Sequence, residues 1–201
     1  MTRKEEIIYA ALELAAEHGL KAVSLSQIAD KVGIKKPSLY NHFSSKEELM
    51  DEMYVFLREK AHKLPVITAA ELGKMITDNS LENILLFFLK GYLGFLGDKD
   101  MLCFFKVLYS ERCNSPEAAR IVLEETEHMV NGVKNLFYAL VVHGKMKNHM
   151  VDEAALSYAL TIHSLIDKQM DKMTTEGTDV STQITEEMVG YIKWFCKVTE
   201  A

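Results

Sequence analysis

Apolar residues recur at helical spacing along most of the chain. The first predicted helix runs from about Lys4 to Glu17. Its apolar side chains share one face: Ile7, Ile8, Ala11, Leu14 and Ala15. No sustained alternation of β-branched with polar residues indicates a strand, and only three prolines occur in 201 residues. The pattern therefore predicts an all-α protein.

Two shorter helices are predicted next. Ser24 is an N-cap type residue, and Gly33 ends the helix that follows it. The apolar face of this helix repeats at i, i+3, i+4 and i+7: Leu25, Ile28, Ala29 and Val32. A third helix is predicted from about Lys36 to Phe43, with Pro37 in its first turn, where no N–H is needed. Helix, tight turn and short helix form a helix-turn-helix motif, which presents its second helix to the DNA major groove.

The remaining pattern predicts a connecting helix and five longer helices. The connecting helix starts at Ser44 or Ser45, each followed three residues on by a glutamate, and runs to about Lys63. The later helices are predicted at about Ser80–Leu96, Lys99–Ser110, Pro116–Val142, Asp152–Met173 and Ile184–Thr199. The predicted loops are Leu64–Asn79, Cys113–Pro116, His143–Val151 and Thr174–Gln183. We expect a DNA-binding domain over residues 1–46 and a larger helical domain over residues 47–201, connected by the helix from about residue 45 to 63.

The third helix carries two kinds of side chain. Ile34, Leu39 and Phe43 are apolar and are expected to pack inward. The outward set suits a DNA surface: Lys35, Lys36, Pro37, Ser38, Asn41 and His42. Lysine reaches guanine acceptors or phosphates, asparagine reads adenine, and proline contacts a thymine methyl. Tyr40 and His42 are candidates for hydrogen bonds to phosphates, and the alternative is a plain helical hairpin with a solvated lysine face.

Charge is distributed unevenly along the chain. The net formal charge is −6, which by itself argues against a nucleic-acid partner. Residues 1–46 nevertheless carry seven cations and five anions, so this head is near +2 and the rest of the chain near −8. A mildly basic head therefore precedes an acidic body.

The cysteines and the hydropathy of the chain indicate the cellular compartment in which the protein is expected. Cys103, Cys113 and Cys196 are odd in number and widely spaced, which fits reduced thiols in a cytoplasm better than a disulfide framework. No cysteine or histidine pair has a metal-binding spacing, and we expect neither a metal nor a cofactor. The longest apolar run, ILLFFL, is far shorter than the roughly 20 residues of a membrane span, and nothing at the start of the chain indicates secretion.

The segment HGLKAVSLSQIADKVGIKKPSLYNHFSSKEEL, from His18 to Leu49, resembles the TetR-like family of transcriptional regulators. The resemblance implies phosphate contacts near Ser24 and Ser26, base contacts by Lys35, Lys36, Pro37, Ser38 and Asn41, and backbone contacts by Tyr40, His42 and Lys46. Lys35 departs from the family pattern, in which a serine often caps this helix. The departure makes a phosphate contact by Lys35 more attractive.

A recognition helix this short contacts few base pairs, so we expect a homodimer on a two-fold symmetric site. In the family that the chain resembles, the last two helices form the dimer bundle. Their apolar stripes contain the predicted interface: Leu156, Ala159, Ile162, His163, Ile166, Met188, Ile192 and Phe195. A core within one chain uses identical stripes, and spacing does not separate the two alternatives.

The resemblance also implies an effector cavity among the middle helices, where methionine and aromatic side chains suit an apolar or aromatic ligand. The candidate lining residues are Phe88, Tyr92, Met101, Cys103, Phe104, Phe137 and Tyr138. The expected protein is a repressor that such an effector releases from a palindromic operator in double-stranded DNA. The alternative is a thiol- or redox-sensing regulator acting through Cys103, Cys113 or Cys196. No catalytic motif indicates an enzyme.

Overall fold

The computed structural model describes residues 1–62, 67–177, 179 and 181–201. Within these ranges the chain forms ten α-helices: α1 (Arg3–His18), α2 (Leu25–Val32), α3 (Lys36–Tyr40), α4 (Lys46–His62), α5 (Ala69–Asp78), α6 (Leu81–Leu96), α7 (Lys99–Glu111), α8 (Pro116–Val142), α9 (Val151–Glu176) and α10 (Glu186–Thr199). A 3-10 turn at Leu20–Ala22 separates α1 from α2. The described residues contain no β-strand, and the all-α prediction is confirmed.

Local side chains fix where several helices begin. The Ser24 hydroxyl accepts a hydrogen bond from the Gln27 N–H (3.3 Å), while the Gln27 side chain accepts from the Ser24 N–H (2.8 Å). This capping box starts α2, and the same arrangement with Thr2 starts α1. The Ser45 hydroxyl, just before α4, accepts a hydrogen bond from the Glu48 N–H (3.1 Å). Of the two serines predicted as possible starts of this helix, Ser45 therefore provides the side-chain cap.

The predicted loop from Leu64 to Asn79 is wrong, because α5 occupies most of it. Thr68 and Glu71 form a capping box at its start, and Ile76 is fully buried. The T-x-x-E signal was present in the sequence, but Gly73, a poor helix former, lies in the middle of the segment.

Two other helix ends differ from the predictions by three residues. α3 ends at Tyr40 rather than Phe43, because the His42 and Phe43 N–H groups both donate to the Leu39 carbonyl, at 2.9 and 3.1 Å, and turn the chain. α9 continues to Glu176 and ends at Gly177, which has a φ of +68°. The predicted end of the connecting helix at Lys63 lies outside the described residues.

The chain divides into two compact units. The first contains Met1–Pro65 and Asp98–Val122, and the second contains Val66–Gly97 and Leu123–Ala201. Within the first unit, α1 packs against α2, α4 and α7. Within the second, α6 packs against α5 and α10, and α9 packs against α10. The boundary predicted between residues 46 and 47 separates a DNA-binding domain from a larger helical domain, and it does not coincide with the limits of these compact units. It stays a prediction.

Ion pairs join α7 to the amino-terminal helices within the first unit. The Glu13 carboxylate on α1 accepts from Lys31 on α2 at 2.9 Å and from Lys99 on α7. The Lys99 and Lys31 hydrogen bonds hold the pKa of Glu13 below its ordinary range. On α4, Lys60 pairs with Asp100 of α7 at 2.5 Å. Four helices are thus linked by charge as well as by apolar packing.

Candidate nucleic-acid interface

The turn between α2 and α3 depends on Gly33. This residue has a φ of +74°, in the left-handed region that favours glycine. Its N–H donates to the Asp30 carbonyl at 3.1 Å, and the next N–H, that of Ile34, donates to the Ala29 carbonyl at 2.9 Å. These bonds satisfy carbonyls at the end of α2 and turn the chain into α3.

A small set of apolar side chains anchors α3. Leu39 and Phe43 are buried at 0% and 1% exposure, and α3 packs against α2, where Ile28 and Ala29 are also buried. Ile34 is half-buried. Leu39 is the one buried residue of the five in α3, so the rest of that helix presents its side chains outward, as the pattern predicts.

The outward surface of α3 contains most of the predicted DNA contacts. The exposed members are Lys35, Lys36, Pro37, Ser38, Tyr40 and Asn41, and His42 is half-buried. Tyr40 is an aromatic residue with 47% of its surface exposed, so its ring and hydroxyl are accessible to a partner. No ion pair with any described residue engages Lys35 or Lys36. The ammonium groups of Lys35 and Lys36 are therefore available to an external partner, beside the side chains of Tyr40 and Asn41.

Lys35 occupies the N-cap position of α3 but does not cap it. Its backbone is extended, with φ −75° and ψ 141°, and its side chain makes no capping hydrogen bond. The Lys35 carbonyl instead accepts from the Ser38 N–H at 2.8 Å. The side chain is thus left for an external partner.

Three further predicted contacts lie at the edges of this surface. The Ser24 hydroxyl donates to the Gln27 side chain at 2.8 Å, so it is already engaged within the capping box, whereas Ser26 is exposed in the first turn of α2. The Lys46 ammonium donates to the Leu20 carbonyl at 2.7 Å. Lys46 therefore fastens α4 to the turn after α1, and an ammonium retains two further donors for a phosphate.

The apolar stripes of α9 and α10 are largely occupied within the chain. Six residues of the predicted dimer interface are buried there: Ala159, Ile162, Ile166, Met188, Ile192 and Phe195. The Phe195 ring lies 5.0 Å from that of Tyr158 and 5.5 Å from that of Phe137, between ring centroids. These six residues therefore belong to a core within one chain, which is one of the two alternatives that the sequence left open. Leu156 is exposed and His163 half-buried, and a contact with a second chain stays a prediction.

The predicted effector residues are divided between the two units. Met101, Cys103 and Phe104 belong to the first, and Phe88, Tyr92, Phe137 and Tyr138 to the second. Met101, Phe104 and Phe137 are buried, whereas Tyr138 is 45% exposed and its hydroxyl donates to Asp152 at 2.8 Å. Their role as ligand contacts stays a prediction.

The three thiols differ in their surroundings. Burial raises the pKa of the half-buried Cys103 thiol, and burial raises the pKa of Cys196 to about 11. Both shifts disfavour the reactive thiolate. Cys113 is exposed. Among the described residues, no three His, Cys, Asp or Glu side chains gather into a group suited to a metal ion.

A known family pattern matches the amino-terminal part of the chain. The sequence pattern of the bacterial regulatory proteins of the tetR family matches residues 7–53, which contain the whole helix-turn-helix motif. The amino-terminal segment of the chain thus has the sequence pattern of the TetR family. The chain is 46% identical over 52 residues to the transcriptional repressor KstR2 of Mycobacterium tuberculosis, covering 26% of each chain. It is 45% identical over 47 residues to the transcriptional activator FasR of Mycolicibacterium smegmatis, covering 23% of this chain and 22% of that one.

Over nearly the whole chain, the similarity to solved structures is one of fold. A TetR-family regulator from Mesorhizobium loti superposes with a TM-score of 0.72 at 19% identity, over 99% of this chain and 97% of that one. The match spans about a quarter of the length of KstR2 of Mycobacterium tuberculosis. Within the described ranges, none of the helices has the length and apolar character needed to cross a membrane. The curated relatives are regulators rather than enzymes.

Proposed function

We propose that this protein is a homodimeric transcriptional repressor that binds a palindromic DNA operator through α3 and is released by a small apolar or aromatic effector. The observation that carries the proposal is the surface of α3. Lys35, Lys36 and Asn41 project from a helix fixed by the buried Leu39, in a chain of net charge −6. Exposed cations and an amide on a short, rigid helix suit phosphates and base edges.

The proposed dimer contact uses the apolar residues of α9 and α10 that the chain leaves exposed. These are Leu156, Leu160, Trp194 and Val198, with exposed fractions of 48%, 42%, 55% and 49%. Leu156 and Leu160 are one helical turn apart, as are Trp194 and Val198, so each helix presents an apolar edge. Exposed apolar patches of this kind are typical of protein contacts.

An effector acts on such a dimer only if it binds one arrangement of the two heads better than the other. Half-sites one helical turn apart place the two recognition surfaces about 34–36 Å from each other. We propose that effector binding changes this separation, with α4 as the connecting element. The change releases one head from the groove without altering Lys36 or Asn41.

An operator selected from random duplex DNA by the purified protein tests the proposal. Binding of single-base operator variants is then titrated for the wild type, Lys36→Ala and Asn41→Ala, with Lys90→Ala, an exposed lysine of α6, as the control. We expect the first two variants to lose about 1–3 kcal/mol of discrimination at one operator position each, and the control to lose none. Full discrimination by both α3 variants would show that α3 is not the reading element.

The sign of regulation needs its own measurement, since the two relatives named above are a repressor and an activator. In vitro transcription from a promoter containing the selected operator is expected to fall when the protein is added. An increase would replace the repressor with an activator. Loss of DNA binding on mild oxidation, prevented by Cys113→Ser, would instead favour thiol sensing.

A further inference from the structure

Tyr54 lies on α4 and belongs to the first compact unit. The residue is 4% exposed, yet its hydroxyl has no hydrogen-bond partner among the described residues. A buried phenol normally donates its proton to an acceptor, and leaving a buried donor unsatisfied is unfavourable. The unpaired hydroxyl is the only polar atom of an otherwise apolar side chain.

The surroundings of Tyr54 combine aromatic surface with negative charge. The Phe104 ring of α7 lies 6.3 Å from the Tyr54 ring, and Phe105 lies 5.9 Å from Phe104, both between centroids. Burial, followed by the charges of Glu111, Asp51 and Glu117, raises the pKa of Tyr54 to about 12. The phenol therefore stays protonated and remains a donor.

We propose that the Tyr54 hydroxyl is the polar anchor of the effector site, donating a hydrogen bond to the carbonyl or ether oxygen of a neutral aromatic ligand held between α4 and α7. This inference rests on the proposed function, because it identifies where the effector binds and what chemistry it has. It adds a residue that the sequence pattern did not select.

The class of ligand follows from the groups on the two helices. α4 and α7 pack against each other, and the ring of Phe104 offers a flat apolar surface. Met53 and Met101, buried on the same two helices, have flexible side chains that rearrange around a guest. The three carboxylates disfavour an anionic ligand, and the apolar burial disfavours a charged one of either sign. A neutral ligand with one acceptor oxygen fits both conditions.

The fluorescent dye Prodan tests the proposal, since it is a neutral naphthalene with one ketone whose emission shifts to the red when the ketone accepts a hydrogen bond. Dye affinity and emission are measured for the full-length wild type, for Tyr54→Phe and for Tyr9→Phe. The control removes a tyrosine hydroxyl from α1 of the same unit. The sulfonated dye 1-anilinonaphthalene-8-sulfonate provides an anionic probe of similar size.

We expect Tyr54→Phe to bind Prodan about tenfold more weakly, which corresponds to about 1.4 kcal/mol, and the bound dye to emit further to the blue. Tyr9→Phe should match the wild type, and the anionic dye should not respond to Tyr54→Phe. The thermal midpoint of Tyr54→Phe without dye should equal or exceed that of the wild type, since an unpaired donor has been removed.

Three results would overturn the proposal. These are no binding of Prodan by the wild type, equal binding by Tyr54→Phe, and a lower thermal midpoint of Tyr54→Phe with unchanged dye affinity, which would indicate a bound water. Operator binding by the wild type without dye is scored separately. A protein that binds its operator but fails the dye test retains the proposed function and loses only this site.

Discussion

The substitution Lys35→Ser separates two roles of the residue at the N-cap of α3. Lys35 occupies an N-cap position without capping, and its exposed ammonium has no ion pair with a described residue. A serine hydroxyl at an extended N-cap accepts from the N–H three residues on, here that of Ser38, and would share it with the carbonyl of residue 35, which accepts it at 2.8 Å, so the cap is worth at most about 1 kcal/mol. The variant is therefore expected to stabilise α3 and to weaken DNA binding at once.

Both effects have measurable magnitudes. A gain of about 1 kcal/mol lowers the population of the locally opened state about fivefold, so the His42 and Phe43 amides, which donate to the Leu39 carbonyl, should exchange more slowly with solvent. Each phosphate contact contributes about 0.9 to the log–log salt dependence of DNA binding, so losing one in each half of a dimer lowers the slope by about 1.8. The advantage of the wild type in affinity should therefore shrink about tenfold between 50 and 200 mM salt.

Two controls distinguish the effects. Lys35→Ala is expected to lose the same salt slope without slower amide exchange, because it removes the charge and adds no cap. Lys90→Ser, at an exposed position of α6, is expected to change neither. A Lys35→Ser protein with the wild-type salt slope would refute the phosphate contact, and one with unchanged amide exchange would refute the missing cap.

Three further predictions concern the turn, the ion pairs and the dimer. Gly33→Ala should cost about 1 kcal/mol in urea unfolding from its left-handed backbone alone, since a Cβ there meets nothing within 4 Å. Glu13→Gln should lower the thermal midpoint at pH 7, and this difference should vanish as pH falls below the ordinary value of 4.5 and through the lowered folded pKa of Glu13. Leu160→Asp should give a folded monomer in sedimentation, because Leu160 is exposed within the chain. Dilution of the wild type should shift the emission of Trp194, the one tryptophan, to the red as the dimer dissociates.

Each of these predictions has a contradicting result. Gly33→Asn should be less costly than alanine, since asparagine tolerates this backbone, and the reverse order would show another cause. A midpoint difference for Glu13→Gln that is undiminished at pH 3 would mean that the carboxylate charge is not responsible. A Leu160→Asp protein that remains dimeric would place the contact elsewhere.

The sequence predicted the elements that depend on neighbouring residues. Ser24 and Gly33 bound α2 through bonds to residues within five positions, so its limits follow from local chemistry. α8 begins at Pro116 and ends at Val142, at the predicted bounds. The outward surface of α3 was likewise predictable, because Leu39 is the one buried residue of this five-residue helix and the other four side chains face outward.

Features that depend on distant partners were not predictable in this way. Glu13 binds Lys99 across 86 positions, and no local pattern indicates that pair. Ile162 and Leu160 are two residues apart on α9, yet one is buried within the chain and the other exposed. Both are apolar, so their spacing could not separate a core from a contact between chains. The orphan hydroxyl of Tyr54 also appears only once its neighbours are known.

The packing of α1 against α7 has a consequence for anyone who wishes to retarget the proposed regulator. A chimera that exchanges residues 1–46 for the head of another protein would replace α1 and Glu13 while leaving Asp98–Val122 behind. The grafted helix would then meet an α7 surface to which it is not fitted. A transferable reading head therefore comprises two separate stretches of the gene. Rewriting the outward side chains of α3 in place, with α1 and α7 untouched, offers a route to new operators that preserves this junction.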